Sequence, residues 1–278
     1  MISANSGKYP VSAQCEILGV PRSTYYWMAS HPVADAAPDP ITDAVVKVFN
    51  ENRRQYGAPK IKQGLARMGI TASRRRIKRI MNENGLVSAY SQRKHRLRPD
   101  KPNDADVPNL VARRFDGRLP RTHVVSDLTY VRVGGRWNYV CLLIDLYNRE
   151  IVGHSAGPHK DASLVKAAFA TLRFPISDIE VFHTDRGSEF DNMAIDEMLE
   201  VFGVARSLSR KGNPYDNAVV ESTNKILKKE LIYRQTYATI EQLRRELNSY
   251  VWWYNNERMH STLGYMSPVE FREAGMSL

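Results

Sequence analysis

Three acidic residues constrain the fold more than any other feature, because two of them lie in strand-like segments and the third lies in a helix-like one. Asp127 lies in a strand-like run, HVVSDLTYVRV, and Asp185 lies in a second one, EVFHTDRGSEF. Glu221 lies in a helix-like stretch, DNAVVESTNKILKKELI, with 35 residues between it and Asp185. Two carboxylates from neighbouring strands and one from a helix provide the oxygen ligands that a pair of Mg²⁺ ions needs to hold a phosphodiester.

The segment around the first of these acids has the pattern of an antiparallel sheet. Two runs rich in β-branched and aromatic residues, 124–133 and 137–144, are separated by Gly134 and Gly135. Paired glycines between such runs are typical of a two-residue hairpin turn. A third strand is predicted at about 150–156, after a polar turn.

Beyond these strands, helices alternate with strands and then follow one another. The predicted elements are a helix at 161–173, a strand at 180–185, a helix at 191–202, a strand at 205–208, and helices at about 216–233 and 239–257. This order predicts an α/β, ribonuclease-H-like fold with a mixed five-stranded sheet and flanking helices. A strand that ends at Asp185 beside the first strand would place Asp127 and Asp185 together at the centre of the sheet.

The chain carries a net charge of +10, and the positive excess lies in its N-terminal part. Residues 1–118 contain 21 Lys and Arg against 10 Asp and Glu, whereas residues 119–278 contain 19 against 20. Residues 53–98 are the most basic, with 14 basic residues and one acid, Glu83. Such a segment is a candidate surface for nucleic-acid phosphates, and a solvated helix face followed by a basic linker is the alternative.

The basic segment also has the spacing of a helix-turn-helix. Helices are predicted at 41–53 and about 58–68, and after Gly69 a third helix begins at Thr71 or Ser73. In a helix-turn-helix the second helix of the pair contacts DNA, although bundles that bind no DNA share this pattern. The residues of the third helix that we predict to contact DNA are Arg74, Arg75, Arg76, Lys78 and Arg79.

These patterns divide the chain into four predicted parts. They are a short helical segment at 1–30, a basic helix-turn-helix-like region at 41–87, a basic linker at 88–119, and an α/β catalytic core with a C-terminal helical tail at 120–278. The first part is expected to contain two short helices separated at Gly19. The proline-rich sequence HPVADAAPDP, which follows it, is predicted to be a linker.

Four ordered blocks carry a family resemblance: SDLTYV (126–131), HTDRGSEF (183–190), KGNPYDNAVVESTNKILKKE (211–230) and NERMHSTLGYMSPVEF (256–271). They resemble the DDE transposases and retroviral integrases, most closely the OrfB product of IS-three family insertion sequences. The upstream stretches YPVSAQCEILGVPRSTYYW and RRQYGAPKIKQGLARMGITASRRRIKRIMNENGL are similar to the helical leader of that family. The sequence departs from the family at Val124, where a tryptophan is usual, and matches no His/Cys zinc module of the retroviral branch.

The resemblance implies metal-dependent cleavage of one DNA strand at an element end and transfer of the freed 3′-hydroxyl to another phosphodiester. It implies that Asp127, Asp185 and Glu221 are catalytic and hold two Mg²⁺ or Mn²⁺ ions, with Asp127 between them. The implied partners are DNA, as terminal inverted repeats and target, and further copies of this chain assembled on DNA. OrfA is a further implied partner, as a separate protein or as a frameshift fusion.

Residues next to Glu221 on its predicted helix are candidates for DNA binding. At 3.6 residues per turn, Lys225 and Lys228 lie about 40° and 20° from Glu221 around the helix, and Asn224 is close by. The resemblance implies the same, since these enzymes use basic residues of this helix to hold the DNA end. The alternative is an ordinary Glu–Lys helix pair, which would contribute about 0.2–0.5 kcal/mol.

Other acidic residues near these blocks are predicted to lie outside the site. Glu189 and Asp191 follow the second strand too late in sequence. Asp216 is expected to cap the helix that carries the glutamate. His183 lies on the same strand face as the second aspartate, and both a packing role and a catalytic role are open for it.

The last block and the helix before it contain aromatic and basic residues. Trp252, Trp253 and Tyr254 are expected to pack against the domain instead of stacking on bases. Arg258 and His260 belong to the last block, but the sequence assigns them no role.

Cysteine usage and hydropathy exclude several protein classes. Cys15 and Cys141 are far apart and belong to no Cys-x-x-Cys pair, so neither a disulfide framework nor a zinc site is predicted. No run approaches the roughly 18 apolar residues of a membrane span, and no signal-peptide pattern is present. A bacterial cytoplasmic location in association with the nucleoid is expected.

Two other functions are compatible with the same fold and charge pattern. The first is a structure-specific nuclease that hydrolyses DNA without joining it, since ribonuclease-H-like folds host both activities. The second is a catalytically idle DNA-binding regulator. Joining of a pre-cleaved end would separate the first from a transposase, and loss of metal dependence would favour the second.

Overall fold

The computed structural model describes residues 2–30, 39–91, 107–210 and 214–278. Most of the predicted linker HPVADAAPDP, residues 92–106 of the predicted connector, and Gly212 lie outside these ranges. The chain divides into two compact units, Met1–Ala44 and Val45–Leu278. The finer division of the sequence into four parts stays a prediction.

The first unit contains three short helices, α1 (Ile2–Asn5), α2 (Val11–Ile17) and α3 (Arg22–Ser30). Gly19 lies between α2 and α3 with a φ of +63°, a conformation that glycine adopts without strain. The predicted break at this glycine is therefore confirmed. Cys15 is buried in α2 and is a free thiol.

The second unit begins with three further helices, α4 (Thr42–Glu51), α5 (Ala58–Arg67) and α6 (Arg74–Glu83). The turn between α5 and α6 includes Gly69, whose φ is +76°. Ser73 caps α6, because its hydroxyl accepts a hydrogen bond from the Arg76 N–H at 3.2 Å. The α6 helix then packs on α5, which confirms the helix-turn-helix-like arrangement.

A five-stranded sheet follows, formed by β1 (His123–Val133), β2 (Arg136–Asp145), β3 (Ile151–Gly157), β4 (Val181–Thr184) and β5 (Ala205–Leu208). Its spatial order is β3-β2-β1-β4-β5. The first three strands are antiparallel, whereas β4 runs parallel to β1 and β5 runs parallel to β4. Gly134 and Gly135 form the β1–β2 turn with φ values of +55° and +79°. The predicted fold class is confirmed.

The helices of the α/β domain are α7 (Ala162–Phe169), α8 (Met193–Val201), α9 (Ala218–Glu230), α10 (Ile240–Asn256) and α11 (Pro268–Glu273). One hydrophobic core joins β1, β2 and β4 to α7 and α8 and includes Val124, Phe169 and Phe182. The sequence patterns did not predict α11. This helix begins with a capping box between Ser267 and Glu270. Within the part of the chain that the structure describes, no helix is long and apolar enough to cross a bilayer.

The aromatic residues of α10 differ in their surroundings. Trp253 and Tyr254 are buried, as predicted. Trp252 is 58% exposed, so the prediction that it packs against the domain is wrong. Consecutive residues of a helix are rotated by about 100°, so they project in different directions. Trp252 therefore projects away from the face on which Trp253 and Tyr254 are buried.

A buried ion pair connects α9 to the segment after α10. The Nε of Arg258 lies 2.9 Å from Oε2 of Glu230, and its Nη2 lies 2.9 Å from Oε1. The Tyr250 hydroxyl donates to Oε2 at 2.9 Å, and the Tyr90 hydroxyl donates to Oε1. Arg258, to which the sequence assigned no role, thus neutralises a carboxylate inside the domain.

The helical leader, residues 45–91, is packed on the α/β domain through the same region. Gln55 donates from Nε2 to the Glu230 carbonyl at 2.9 Å. Farther along, Arg67 at the end of α5 binds the Glu270 carboxylate at 2.9 Å. Leader and α/β domain therefore belong to one compact unit.

We predict that Arg258→Met lowers the free energy of unfolding by about 3–5 kcal/mol, because it leaves the Glu230 carboxylate buried without its cation. Chemical denaturation of the purified chain measures this loss. The control is Lys47→Met, which removes one partner of an ion pair with Glu51 whose side chains are 59% and 60% exposed. The control should change stability by less than about 1 kcal/mol. Equal effects of the two substitutions would contradict a structural role for the buried pair.

Candidate active site and nucleic-acid interface

The pairing of β1 with β4 brings Asp127 and Asp185 together. The parallel ladder ends where Val125 lies opposite His183. Asp127 and Asp185 each follow two residues later, so both project on the same face of the sheet as that last pair. Since β1 is the central strand, the two carboxylates lie at the middle of the sheet, where β1 and β4 separate.

The Asp127 carboxylate is held by two hydrogen bonds. Its Oδ1 accepts from the Leu128 N–H at 2.7 Å, and its Oδ2 accepts from the Asn224 side-chain amide at 3.0 Å. Burial and the charge of Asp185, with a smaller contribution from Glu221, nevertheless raise the pKa of Asp127 to about 7. Negative charge is therefore concentrated at this point of the fold.

Glu221 approaches the aspartates from the first turn of α9, which packs across β1. Its Oε2 lies 3.4 Å from the Nζ of Lys225, and the two side chains are 35% and 71% exposed. Among the described residues, no three His, Cys, Asp or Glu side chains are arranged to hold one metal ion together. The two aspartates thus form a close pair, and Glu221 is paired with Lys225.

The chemistry of this pair fits a divalent cation. Carboxylate oxygens are the ligands that Mg²⁺ and Mn²⁺ prefer, and Mg²⁺ commonly binds through one or two carboxylates plus substrate phosphates. A raised pKa at Asp127 shows that the ionised pair is unfavourable without a compensating charge. A cation between Asp127 and Asp185 would remove that penalty.

The structure places the predicted DNA contacts of α9 at different depths. Lys225 is exposed on the same side as Glu221. Lys228 is half-buried, with its Nζ 4.4 Å from the centroid of the Tyr130 ring. Burial lowers the pKa of Lys228, while the charge of Asp127 acts in the opposite direction. Asn224 is buried and donates to Asp127, so its observed contact is with the acidic pair.

The basic residues of α6 lie on its solvent face. Ile77, Ile80 and Met81 are buried on the opposite side of the helix. Four of the five predicted DNA contacts are exposed, and Arg76 is half-buried: the exposed ones are Arg74, Arg75, Lys78 and Arg79. This face therefore has the position and charge that phosphate contacts require.

Asp216 does not cap α9, and that prediction is wrong. The N-cap position belongs to Asn217, and the buried Asp216 carboxylate accepts hydrogen bonds from Arg210 at 2.8 Å and from Arg113 at 2.7 Å. These hydrogen bonds, that of Arg210 first, hold the pKa of Asp216 well below its usual range. Guanidinium groups bind this carboxylate more strongly than a helix N-terminus would.

His183 has a structural role beside the acidic pair. Its Nε2–H donates to the Asp216 carbonyl at 3.0 Å, and its Nδ1 accepts from the Ser207 hydroxyl at 2.8 Å. Burial lowers the pKa of His183 to about 4, so the ring is neutral at pH 7. Through this ring, β4 holds the segment that leads into α9.

Glu189 is closer to the acidic pair than its sequence position suggested. It is buried, binds Lys160 at 3.3 Å, and has its pKa raised by burial and, to a smaller extent, by the charge of Asp185. A Cβ atom on Gly187 would lie 2.5 Å from its carboxylate. A side chain at 187 would therefore displace the Glu189 carboxylate from its observed position.

The three acids and the largest described cavity beside α9 lie on different sides of this helix. A cavity of about 900 Å³ lies on the other side of this helix and is lined by Ser222 and Ile226 together with Lys60 and His260. None of the three acids lines it. The Glu221 side chain is 35% exposed and both aspartates are half-buried, so the acids are accessible from solvent on this side of α9.

Comparison with known families identifies one family for the helical leader and one for the α/β domain. A profile described as an integrase core domain matches residues 117–214, and a second profile with that description matches residues 202–268. A profile described as an HTH-like domain matches residues 37–94. The matched ranges cover the sheet, α9 and the leader.

Several insertion-sequence proteins are similar over most of their length. The transposase for insertion sequence element IS904 of Lactococcus lactis is 32% identical over 84% of this chain and 93% of its own. The 31 kDa protein of insertion element IS600 of Shigella sonnei is 34% identical over 93% and 97%. The HTLV-2 integrase catalytic core domain, solved in complex with magnesium, covers 56% of this chain and 97% of its own at 16% identity and a TM-score of 0.43. The insertion-sequence relatives confirm the predicted resemblance.

We predict that Asp127→Asn stabilises the metal-free protein at pH 8. A carboxyl group whose pKa rises from 3.8 to about 7 on folding favours the folded state below pH 4, and that contribution is lost as the pH rises through 7. Removing the charge should therefore raise the melting temperature in chelator at pH 8, and the gain should shrink at pH 5. The exposed Glu197→Gln is the control and should show no such pH-dependent gain. A lower melting temperature at pH 8 would contradict the proposed charge crowding.

Proposed function

Because this chain belongs to the IS-three family of insertion-sequence transposases, we propose that it is the DDE transposase subunit that cleaves and joins DNA at the element ends. The observation that carries the proposal is the close pair of Asp127 and Asp185, which Glu221 approaches from α9. A crowded, half-buried acidic pair is costly for stability and suited to metal-assisted phosphoryl transfer. The proposal includes assembly of further copies of the chain on DNA and action in the bacterial cytoplasm. It also includes OrfA as a partner, either as a separate protein or as a frameshift fusion.

The proposed reaction consists of two phosphoryl transfers. Water first attacks the phosphodiester at the element end, and the bond to the 3′-oxygen breaks, which leaves a 3′-hydroxyl and a 5′-phosphate. The freed hydroxyl then loses its proton and attacks a second phosphodiester, whose own 3′-oxygen leaves. One P–O bond forms and one breaks in each step, so no covalent enzyme intermediate is needed.

The side chains have separate roles in this proposal. Asp127, Asp185 and Glu221 would hold two Mg²⁺ or Mn²⁺ ions, with Asp127 shared. Such ions activate the attacking oxygen and stabilise charge on the leaving oxygen. Asn224 fixes the Asp127 carboxylate, and the Gly187 N–H, which donates to Asp185 Oδ1 at 3.1 Å, fixes its partner.

Basic residues would hold the DNA at two places. Lys225 and Lys228 lie next to the acids on α9, where a phosphate could replace the exposed Glu221 carboxylate as the partner of Lys225. The exposed face of α6 is the second place, and its contacts would position the element end. Charge-based contacts of this kind depend strongly on salt.

We predict that Asp127→Asn, Asp185→Asn and Glu221→Gln each abolish cleavage and joining while DNA binding persists. Each substitution preserves volume and removes one ligand charge from the proposed metal site. Labelled element ends, some supplied pre-cleaved, report both steps with Mg²⁺, Mn²⁺, Ca²⁺ or chelator. The exposed Asp178→Asn is the matched control and should retain activity.

Three outcomes of that experiment would change the assignment. A rate within tenfold of the unsubstituted protein would remove that residue from the triad, and full activity in chelator would exclude the metal mechanism. Hydrolysis without joined product from a pre-cleaved end would instead identify a nuclease. Ca²⁺ should support binding with little chemistry, because its coordination is longer and looser.

We predict that neutralising Arg74, Arg75, Lys78 and Arg79 to Gln weakens DNA binding and flattens its salt dependence. Each lost phosphate contact lowers the slope of log affinity against log salt by about 0.9. Binding titrations at several salt concentrations measure this slope. The control is Arg245→Gln, an exposed charge on α10. An unchanged slope in the fourfold variant would show that α6 does not contact DNA.

A further inference from the structure

The outer half of the β1–β2 hairpin presents two exposed aromatic side chains that the proposed mechanism does not use. Tyr130 is 39% exposed and Trp137 is 54% exposed. Their ring centroids are 5.2 Å apart, with an angle of 90° between the planes. We call this pair the hairpin platform.

The strand register explains why the platform is open. Tyr130 pairs with Tyr139 and Arg132 pairs with Trp137, so Tyr130 and Trp137 are diagonal neighbours on one face of the hairpin. On its other edge, β1 pairs with β4 only from His123 to Val125. The outer half of β1 therefore has no β4 residue beside it, and its aromatic face reaches solvent at that edge.

Positive charge surrounds the platform. The Nζ of Lys228 lies 4.4 Å from the Tyr130 ring centroid, and the Cζ of Arg132 lies 5.3 Å from the Trp137 ring. Residues 128–139 contain Arg132 and Arg136 but no acidic residue. Exposed rings with interleaved cations match the chemistry of a nucleic-acid strand, since bases stack on the rings and phosphates bind the cations.

The platform is next to the acidic pair. Asn224 of α9 donates to Asp127, and Lys228, one helical turn farther along α9, contacts Tyr130. One turn of helix is about 5.4 Å. Tyr130 lies three residues after Asp127 and therefore projects from the opposite face of β1. A strand with its phosphodiester at Asp127 would reach the platform by crossing the edge of β1 that β4 leaves open.

We propose that Tyr130 and Trp137 stack on unpaired nucleobases of the DNA strand that enters the acidic site. The inference rests on the proposed function, because it specifies the state of the strand in that site. Only bases that have left the duplex offer a free face to an aromatic side chain, so the platform selects for an opened element end. Stacking is tolerant of sequence and would hold the strand during both phosphoryl transfers.

The test compares two single-stranded oligonucleotides that carry the same number of phosphates. One probe is a labelled thymidine oligonucleotide, and the other is a fully abasic strand of equal length. Binding to the full chain is measured by fluorescence anisotropy in chelator, so that no cleavage contributes. Tyr130→Ala and Trp137→Ala should each weaken binding of the thymidine probe by on the order of tenfold and leave the abasic probe unaffected.

Three controls separate stacking from a structural role of the hairpin. Tyr130→Phe and Trp137→Phe keep an aromatic face and should retain most of the affinity. Trp252→Ala removes an aromatic side chain that is 58% exposed on α10 and should leave both probes unaffected. Thermal melts of all variants show whether any loss of binding reflects loss of the fold.

Three outcomes contradict the platform. An equal loss for both probes would assign the effect to charge or folding, and no loss would leave the rings without a role in binding. A changed oligomeric state by sedimentation, with unchanged DNA binding, would assign the face to a second copy of the chain. Base-dependent binding in a chain that performs no strand transfer would instead support the platform and refute the proposed function.

Discussion

The buried ion pair between Glu230 and Arg258 is the interaction on which the arrangement of this unit depends. Burial alone would raise the pKa of Glu230, but Arg258 and the Tyr90 hydroxyl hold it below its ordinary value. Two desolvated charges are stable only when both are fully hydrogen-bonded, and the partners here come from the leader, α9 and α10. Glu230 is also the last residue of α9, so the pair fixes the end of the helix that carries Glu221.

The acidic site has the opposite energetics. Asp127 and Asp185 repel each other, and hydrogen bonds from Asn224 and Gly187 hold them in place without cancelling that repulsion. The ladder between β1 and β4 ends two residues before the acids, at Val125 and His183, and fixes the backbone from which both side chains project. The ion pair fixes the end of α9, whereas the crowded carboxylates at the centre of the sheet oppose folding. This combination is expected if the proposed cation site is functional.

Local patterns predicted the hairpin at Gly134 and a helix start at Thr71 or Ser73, because each depends on residues a few positions apart. The pairing of the two aspartates also followed from strand order, whereas their roles stay predictions. Two of the features that failed or were missed depend on distant partners: Asp216 binds an arginine 103 positions away, and Arg258 binds a glutamate 28 positions away. The sequence alone does not reveal which buried acidic side chain forms an ion pair with which basic side chain.

The contact between leader and α9 has a consequence for how DNA would be held. Gln55 precedes α5 and donates to the backbone of Glu230, while α6 packs on α5 with its basic face in solvent. Because these elements belong to one compact unit, the α6 face has a defined position relative to the acids. Duplex bound on α6 and a single strand bound at the hairpin would then be separated by a set distance. The point at which the duplex opens would follow from the fold, because the sequence-independent contacts at both places specify no bases.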